Sequence, residues 1–398
     1  MFNSLWTYPW DLIDLGIEES LNEIKETGLD GISLATSYHA GRFLQARSPK
    51  RKAYFPEDGT LYFTPNLENY QHLLIQPEVA PFVNENKGYL DELFDKAHKY
   101  GLKISAWTVT LHNSRIGKKY PEVAVRNAYG DVYYYNQCPS NEAARNYVKA
   151  LITDLTTQYP YYALELESLN FMGFFHEYHH EKDGVGLTAK DDFLLSLCFC
   201  DSCKQRAQKE GLDITQAQKV VKKWIEESCS RELPQNDDRE FMARGLKYFS
   251  DTPAVYEYLK WRSTVVTSLA EELQALVPDR IKLYFLSLLT PDKSWLFGVD
   301  FKEIGRVNDG IVVCCYDTDA KQVGLNMKKS IREIEDSTDI LTGLRVFYPE
   351  VHNEAELVDK VRKAYRAGTK GYLFYNYGLI PQQRMNWIKK AIEAVAAK

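Results

Sequence analysis

The sequence predicts a (β/α)8 TIM barrel, in which eight parallel strands, each followed by a helix, close into a cylinder. Short β-branched or aromatic runs alternate with helical patterns along the whole chain of 398 residues, which favours a parallel sheet with right-handed crossovers. Neither an internal repeat nor a low-complexity linker divides this alternation. A doubly wound open sheet is the alternative that the same alternation allows.

The eight predicted strands, β1 to β8 in chain order, are short apolar runs of the kind that a buried parallel sheet needs. They cover residues 2–8, 31–37, 102–110, 161–168, 281–287, 310–316, 341–348 and 371–376.

The predicted helices between these strands have typical start and stop signals. Three of them stop at a glycine, one ends before Pro160, one opens at Asp251-Thr252-Pro253 and the last follows Pro381, as helix ends commonly do. The predicted helices cover residues 17–27, 88–100, 141–158, 251–276, 300–307, 325–337, 353–367 and 381–396.

Two predicted loops are much longer than ordinary connections. Residues 38–87 follow β2, and residues 169–253, with a helical stretch near 214–232, follow β4. Both leave the C-terminal ends of strands, where barrels carry their functional sites. We therefore expect one catalytic domain over residues 1–398, with a loop and helical insertion at about 169–253.

Composition excludes several classes of protein. The chain has 49 Lys and Arg against 55 Asp and Glu, a net charge of −6, which disfavours a nucleic-acid partner. No apolar run is long enough to span a membrane, and the first residues lack a secretory signal; we expect a cytoplasmic protein. Aromatic residues reach 13%, and part of this excess is what a sugar-binding cleft needs.

Three cysteines lie within six residues, Cys198, Cys200 and Cys203. In a cytosolic chain such a cluster indicates a metal more often than a disulfide. Cys138, just before the third predicted helix, is the best fourth ligand, and four thiolates would make a closed, structural zinc site. Ordinary buried or free thiols are the alternative.

Three segments resemble glycoside hydrolase family 42: residues 136–141 (NQCPSN), 164–167 (LELE) and 198–203 (CFCDSC). The resemblance implies a β-galactosidase-like barrel whose four cysteines hold zinc, and it points to a homo-oligomer. In that family the acid is the Glu of an Asn-Glu dipeptide at the end of strand four. Here the nearest dipeptide is Asn170-Phe171, so a β-galactosidase activity does not carry over. The resemblance implies a divergent glycosidase barrel.

Glycoside hydrolysis requires two carboxyl groups, one protonated and one ionised. Glu165 and Glu167 have the same parity in β4, so both point into the barrel or both point out. Glu167 lies nearer the C-terminal end and is the predicted acid/base. A structural carboxylate paired with a basic neighbour is the alternative.

The second carboxylate is predicted at the end of β7 or β6. Glu350 follows β7, where similar glycosidase barrels carry the nucleophile, and takes that role by analogy. Asp317 at the end of β6 is the rival.

Other side chains predicted at the strand ends would stack on sugar rings or hydrogen-bond hydroxyls. These candidate contacts are Trp6, Tyr8, His39, Trp107, His112, Asn113, His176, His180, Tyr316, Tyr375 and Asn376.

The loop after β2 holds five cations and no anion over residues 42–52. A solvated loop face is one interpretation. The alternative is that Arg42 or Arg47 recognises an anionic substituent such as a uronate.

His176-Glu177-Tyr178-His179-His180 satisfies the H-E-x-x-H pattern of zinc hydrolases, but Gly184 would end such a helix early. The sequence therefore predicts a glycosidase acting on a small oligosaccharide or glycoside, with carbohydrate as its ligand. The alternatives are a catalytically silent carbohydrate-binding barrel and a zinc metallohydrolase using His176 and His180.

Overall fold

Eight parallel strands close into a barrel in the computed structural model, which describes residues 1–176, 180–235, 238–334 and 338–396. Each strand pairs with its neighbours in chain order, and β1 pairs with both β2 and β8. The chain therefore has the (β/α)8 fold, and the open sheet is excluded. From β1 to β8 the strands are Phe2–Thr7, Gly31–Tyr38, Lys103–Val109, Ala163–Glu167, Lys282–Ser287, Gly310–Cys314, Asp339–Arg345 and Gly371–Tyr375.

The α-helices of the described residues include a counterpart of every predicted helix. In chain order, α1 to α16 are Pro9–Leu15, Ile17–Glu26, Pro81–Glu85, Tyr89–Tyr100, Ser114–Lys119, Glu142–Gln158, Ala189–Leu195, Asp201–Lys209, Thr215–Ser230, Asp238–Arg244, Pro253–Gln274, Pro291–Ser294, Phe301–Val307, Ala320–Glu333, Glu354–Ala367 and Gln383–Ala396.

Helix α14 begins at Ala320 and not at residue 325 as predicted, because Asp319 caps it by accepting a hydrogen bond from the Lys321 amide at 2.9 Å. The prediction started after Gly324. That glycine allows a close approach of two helices, since a Cβ there would lie 3.2 Å from Cβ of Lys363 in α15. The predicted end of the helix, residues 335–337, lies outside the described residues.

The elements that the sequence pattern missed are short and lie in the loops. Phe43–Leu44 pairs with Ala53–Tyr54 after β2, and Ala124–Arg126 pairs with Val132–Gln137 after β3. Helices α7, α8 and α10 lie in the segment after β4, on either side of α9, which confirms the helical stretch predicted near 214–232. Elements of two to nine residues are too short to show a clear hydrophobic period. No helix among the described residues has both the length and the apolar character needed to cross a bilayer.

The register of the barrel brings polar side chains to one rim. Glu167 at the end of β4 is paired with Val109, and Tyr375 of β8 is paired with both Trp6 and Arg345. Because the strands are parallel, their C-terminal ends share one side of the barrel, and these residues surround its mouth.

Candidate active site at the barrel mouth

Glu167 is the last residue of β4 and is half-buried at the mouth. Its Oε2 accepts a hydrogen bond from Trp107 Nε1 at 2.6 Å. Burial raises the pKa of Glu167, although the charge of His39 and the Trp107 hydrogen bond act in the opposite direction. A carboxyl group of raised pKa that still reaches the surface is suited to donate a proton.

Glu165 lies one layer deeper and is fully buried. Ser33 Oγ donates to Oε1 at 2.6 Å, and Trp6 Nε1 donates to Oε2 at 2.9 Å. Burial raises the pKa of Glu165 to about 7 in spite of these hydrogen bonds. Both glutamates of β4 therefore point into the barrel, but Glu165 is enclosed by the core.

We expect Glu165→Gln to stabilise the protein more at about pH 8 than at about pH 5. The pKa of Glu165 is about 7 in the folded chain and about 4.3 when unfolded, so folding loses stability as pH rises between these values. The substitution removes that cost, a difference of roughly 2–3 kcal/mol between the two pH values. Urea unfolding at both values measures it, with the exposed Glu257→Gln as control. Equal effects of Glu165→Gln at both values would contradict the shifted pKa.

Aromatic rings fill the barrel beneath the mouth. The ring of Trp107 lies 5.9 Å from that of Tyr375 and 5.0 Å from that of Tyr38. The hydroxyls of Tyr8 and Tyr375 are hydrogen-bonded at 2.8 Å. Among the predicted sugar contacts, Trp6, Tyr8 and Trp107 are buried below the mouth of the barrel, whereas Tyr375 is half-buried at the mouth itself.

Half-buried side chains form the rim and share partial access to solvent: His39, Glu167, Cys314, Tyr316, Arg345, Phe347 and Tyr375. We call these residues the mouth. Arg345 was missed by the sequence analysis, which treated it as part of a strand. Arg345 has the same parity as Gly343 in β7, and only the structure shows that this parity faces the barrel interior, where a Cβ at Gly343 would lie 2.9 Å from the Trp6 ring.

Three histidines lie beside the mouth. The rings of His39 and His112 are stacked with centroids 4.2 Å apart, and His176 approaches His112 edge-on at 4.7 Å. Burial, and to a lesser degree the charge of His39, lowers the pKa of His112 well below its usual value. His112 is therefore a neutral imidazole at neutral pH.

Two other predicted contacts use their side-chain oxygens to accept hydrogen bonds from backbone amides. Asn113 caps α5 by accepting from the Ile116 amide at 2.8 Å, and its amide donates to the Gly59 carbonyl. Asn376 is fully buried and accepts from the Gly378 amide at 3.1 Å. His180 is exposed.

Most of the cations in the loop after β2 are used within the protein. Arg47 forms an ion pair with Glu23 at 2.5 Å and lies over the ring of Tyr377. Arg42, in contrast, is exposed and makes no hydrogen bond to a described residue.

Glu350 and Asp317 lie together beside Lys360 of α15. The Lys360 ammonium donates to the backbone carbonyls of both residues at 2.5 Å. The Glu350 carboxylate accepts from Arg345 Nη1 at 2.6 Å, whereas Asp317 Oδ2 accepts from Asn326 at 2.8 Å. Of these two carboxylates, only Glu350 is hydrogen-bonded to a mouth residue, Arg345.

The position that holds the acid in family 42 is part of the core here. Ser168 turns the chain in the left-handed region (φ 58°) directly after Glu167. Phe171 is fully buried, with the guanidinium of Arg262 4.4 Å from its ring centre. Position 171 therefore faces away from solvent, and Glu167 is the carboxyl group that β4 brings to the mouth.

The four predicted metal ligands, Cys138, Cys198, Cys200 and Cys203, lie together and are buried, with all sulfurs within 4.8 Å of one another. The sulfurs of Cys198, Cys200 and Cys203 lie 3.8, 3.6 and 3.4 Å from Cys138 Sγ. Four thiolates at about 2.3 Å from a zinc ion would be about 3.8 Å apart.

The surroundings of the four-cysteine cluster fit a bound zinc ion. The amides of Ser140 and Cys203 donate to the sulfurs of Cys138 and Cys200. The fully buried Arg262 interacts electrostatically with the cluster, and its Nε and Nη2 have no hydrogen-bond partner among the described residues. A buried cation is what the double negative charge of a four-thiolate zinc site requires. Zinc bound there would supply structural cross-linking and no open position for chemistry.

Residues 177–179 of the H-E-x-x-H segment lie outside the described residues, and the two flanking histidines, His176 and His180, are exposed. Over residues 1–176, 180–235, 238–334 and 338–396, the four cysteines are the one group of three or more His, Cys, Asp and Glu side chains whose ligand atoms come together.

Three cavities of about 470, 470 and 520 Å³ lie away from the mouth. One of them is in the segment after β4 and is lined by Lys190, Trp224 and Arg231. None of the three is lined by a residue of the mouth.

No protein-family model matches the chain, and no curated protein matches it. Several solved structures do match the chain. The chain is similar to a β-galactosidase from the haloarchaeon Halorubrum lacusprofundi (TM-score 0.61, 12% identity, 100% of this chain and 58% of that one). It is also similar to a β-galactosidase from Marinomonas (TM-score 0.58, 11% identity, 99% and 59%). The catalytic domain of a β-amylase from Paenibacillus polymyxa matches over 100% of this chain and 98% of its own (TM-score 0.59, 10% identity). The chain thus spans less than two thirds of the two β-galactosidases, and it shares with all three glycoside hydrolases the (β/α)8 barrel fold.

Proposed function

We propose that this protein is a glycoside hydrolase that cleaves a small oligosaccharide or glycoside at the barrel mouth. The observation that carries the proposal is Glu167, whose pKa burial raises, at the C-terminal end of β4 and hydrogen-bonded to Trp107. Aromatic rings at the mouth, Tyr316 and Tyr375 among them, supply flat apolar surface for a sugar ring. The glycoside hydrolases with the same fold support this class of reaction.

In the proposed reaction Glu167 is protonated and donates its proton to the oxygen of the leaving group. Glu350 acts as nucleophile, or as base toward water, from the opposite side of the mouth. Asp317 is the rival for this second role. We further propose that residues 1–398 form one catalytic domain, divergent from family 42, with residues 169–253 as an insertion and structural zinc on the four cysteines.

A panel of nitrophenyl glycosides tests the proposal. Turnover of at least one of them, with release of free sugar, is the expected result. Binding of sugars without turnover of any panel member would favour the alternative, a barrel that only binds carbohydrate. If a chelator abolishes activity while the four-cysteine zinc is retained, the result would favour the other alternative, a zinc metallohydrolase that uses His176 and His180.

We expect Glu350→Gln to lower kcat by at least about 100-fold and Asp317→Asn to leave it within a few-fold. Glu350 is buried, and its Oε2 has no hydrogen-bond partner among the described residues. Asp317 is instead held by Asn326 on α14. Steady-state kinetics on the best glycoside measures both variants, and the reverse order of effects would assign the second carboxylate to Asp317.

A further inference from the structure

Arg345 presents a positive charge at the mouth of the barrel. Its side chain is 36% exposed, although the strand that carries it, β7, lies in the barrel wall. The guanidinium carbon lies over the ring of Tyr316, 4.3 Å from its centre, and 5.5 Å from the ring centre of Phe347. These cation–π contacts hold the guanidinium at the mouth.

Part of this guanidinium is not used within the protein. Nη1 donates to Glu350, the buried Nε has no hydrogen-bond partner among the described residues, and Nη2 makes no hydrogen bond to a described residue. Because the side chain is partly exposed, Nη2 is placed to donate a charge-assisted hydrogen bond to a bound carboxylate.

The charge of Arg345 is only partly balanced by Glu350. Lys360 lies behind Glu350, donating to its backbone carbonyl at 2.5 Å and interacting electrostatically with its carboxylate. Two cations therefore share this carboxylate. Glu167, the glutamate of the mouth, is protonated in its proposed role and would not repel an anion.

We infer that the substrate carries a carboxylate on the sugar bound at the mouth, as in a hexuronic acid, and that Arg345 recognises it. This inference rests on the proposed function and names its substrate class. We assign recognition of the substrate carboxylate to Arg345 and not to the loop cations Arg42 and Arg47. Arg47 already forms an ion pair with Glu23, and Arg42 is not part of the mouth.

Equilibrium binding of methyl glucuronide and methyl galacturonide, each against its neutral methyl glycoside, tests the inference without requiring hydrolysis. The wild-type protein is expected to bind at least one uronide about tenfold more tightly than its neutral partner, the effect of one charge-assisted hydrogen bond. Equal binding would overturn the inference, and so would preference for a sulfated sugar over every uronide. If the nitrophenyl panel shows no turnover while uronide preference holds, the hydrolase proposal fails and the carboxylate site stands.

Variants separate recognition from a structural role of Arg345. Arg345→Gln should abolish the preference and Arg345→Lys should retain part of it, whereas the matched control Arg42→Gln should leave it unchanged. Glu350→Gln should strengthen uronide binding several-fold, because it removes the competing anion. Circular dichroism confirms folding of each variant. Loss of preference in Arg42→Gln, or weaker uronide binding in a folded Glu350→Gln, would overturn the assignment.

Discussion

Glu167→Gln is expected to lower kcat by about 10²- to 10⁴-fold on a glycoside with a poor leaving group, the usual contribution of a general acid. The amide cannot donate a proton to the leaving oxygen, yet it is nearly isosteric and keeps an oxygen for the Trp107 hydrogen bond. Steady-state kinetics gives the loss, and KM should change little. Glu257→Gln, an exposed substitution on α11, is the control.

The leaving group separates acid catalysis from damage to the site. A dinitrophenyl glycoside needs little protonation, so Glu167→Gln should retain far more activity on it than on an alkyl glycoside. The pH dependence gives a second readout. Activity that requires protonated Glu167 falls as pH rises through its raised pKa, and the variant should lose this alkaline limb. An equal loss on all leaving groups with an unchanged pH profile would contradict the assignment.

Cys200→Ser is expected to release one zinc ion per chain and to lower the free energy of unfolding by on the order of 5 kcal/mol. The cluster brings Cys138, just before α6, to three cysteines at the start of α8, so one ion bound there would cross-link segments 60 residues apart in sequence. Elemental analysis and denaturant unfolding measure the two effects.

The control for zinc loss is Cys229→Ser, because Cys229 is exposed and lies outside the cluster. It should keep one zinc ion per chain and the stability of the wild-type protein. Wild-type protein without zinc after purification in zinc-containing buffer would contradict the metal site. So would a Cys200→Ser variant with wild-type stability.

The strands were predictable because each is a short local pattern. All eight fall within three residues of the predicted bounds, and the common parity of Glu165 and Glu167 follows from the two-residue period of a strand. The meeting of Cys138 with Cys198, Cys200 and Cys203 was predicted from ligand chemistry.

The difference between two glutamates on one strand was not predictable in the same way. Glu165 and Glu167 lie two residues apart on the same face of β4, yet Ser33 and Trp6 enclose the first, whereas Trp107 holds the second at the surface. Arg345 likewise resembles any strand residue until Tyr316 and Glu350 are placed beside it.

The sequence by itself determined the barrel, its long loops and the set of four cysteines that come together, because the hydrophobic period and the residue type can be read from short segments of the chain. Only the tertiary structure decided which side chains form the mouth, that Phe171 is buried against Arg262, and that Glu350 is bound to Arg345. These properties depend on the register and closure of eight strands, which bring together residues more than 300 positions apart, such as Tyr8 and Tyr375. The burial and the electrostatic environment of a mouth residue depend on side chains that are distant in sequence, so a local sequence pattern cannot predict them.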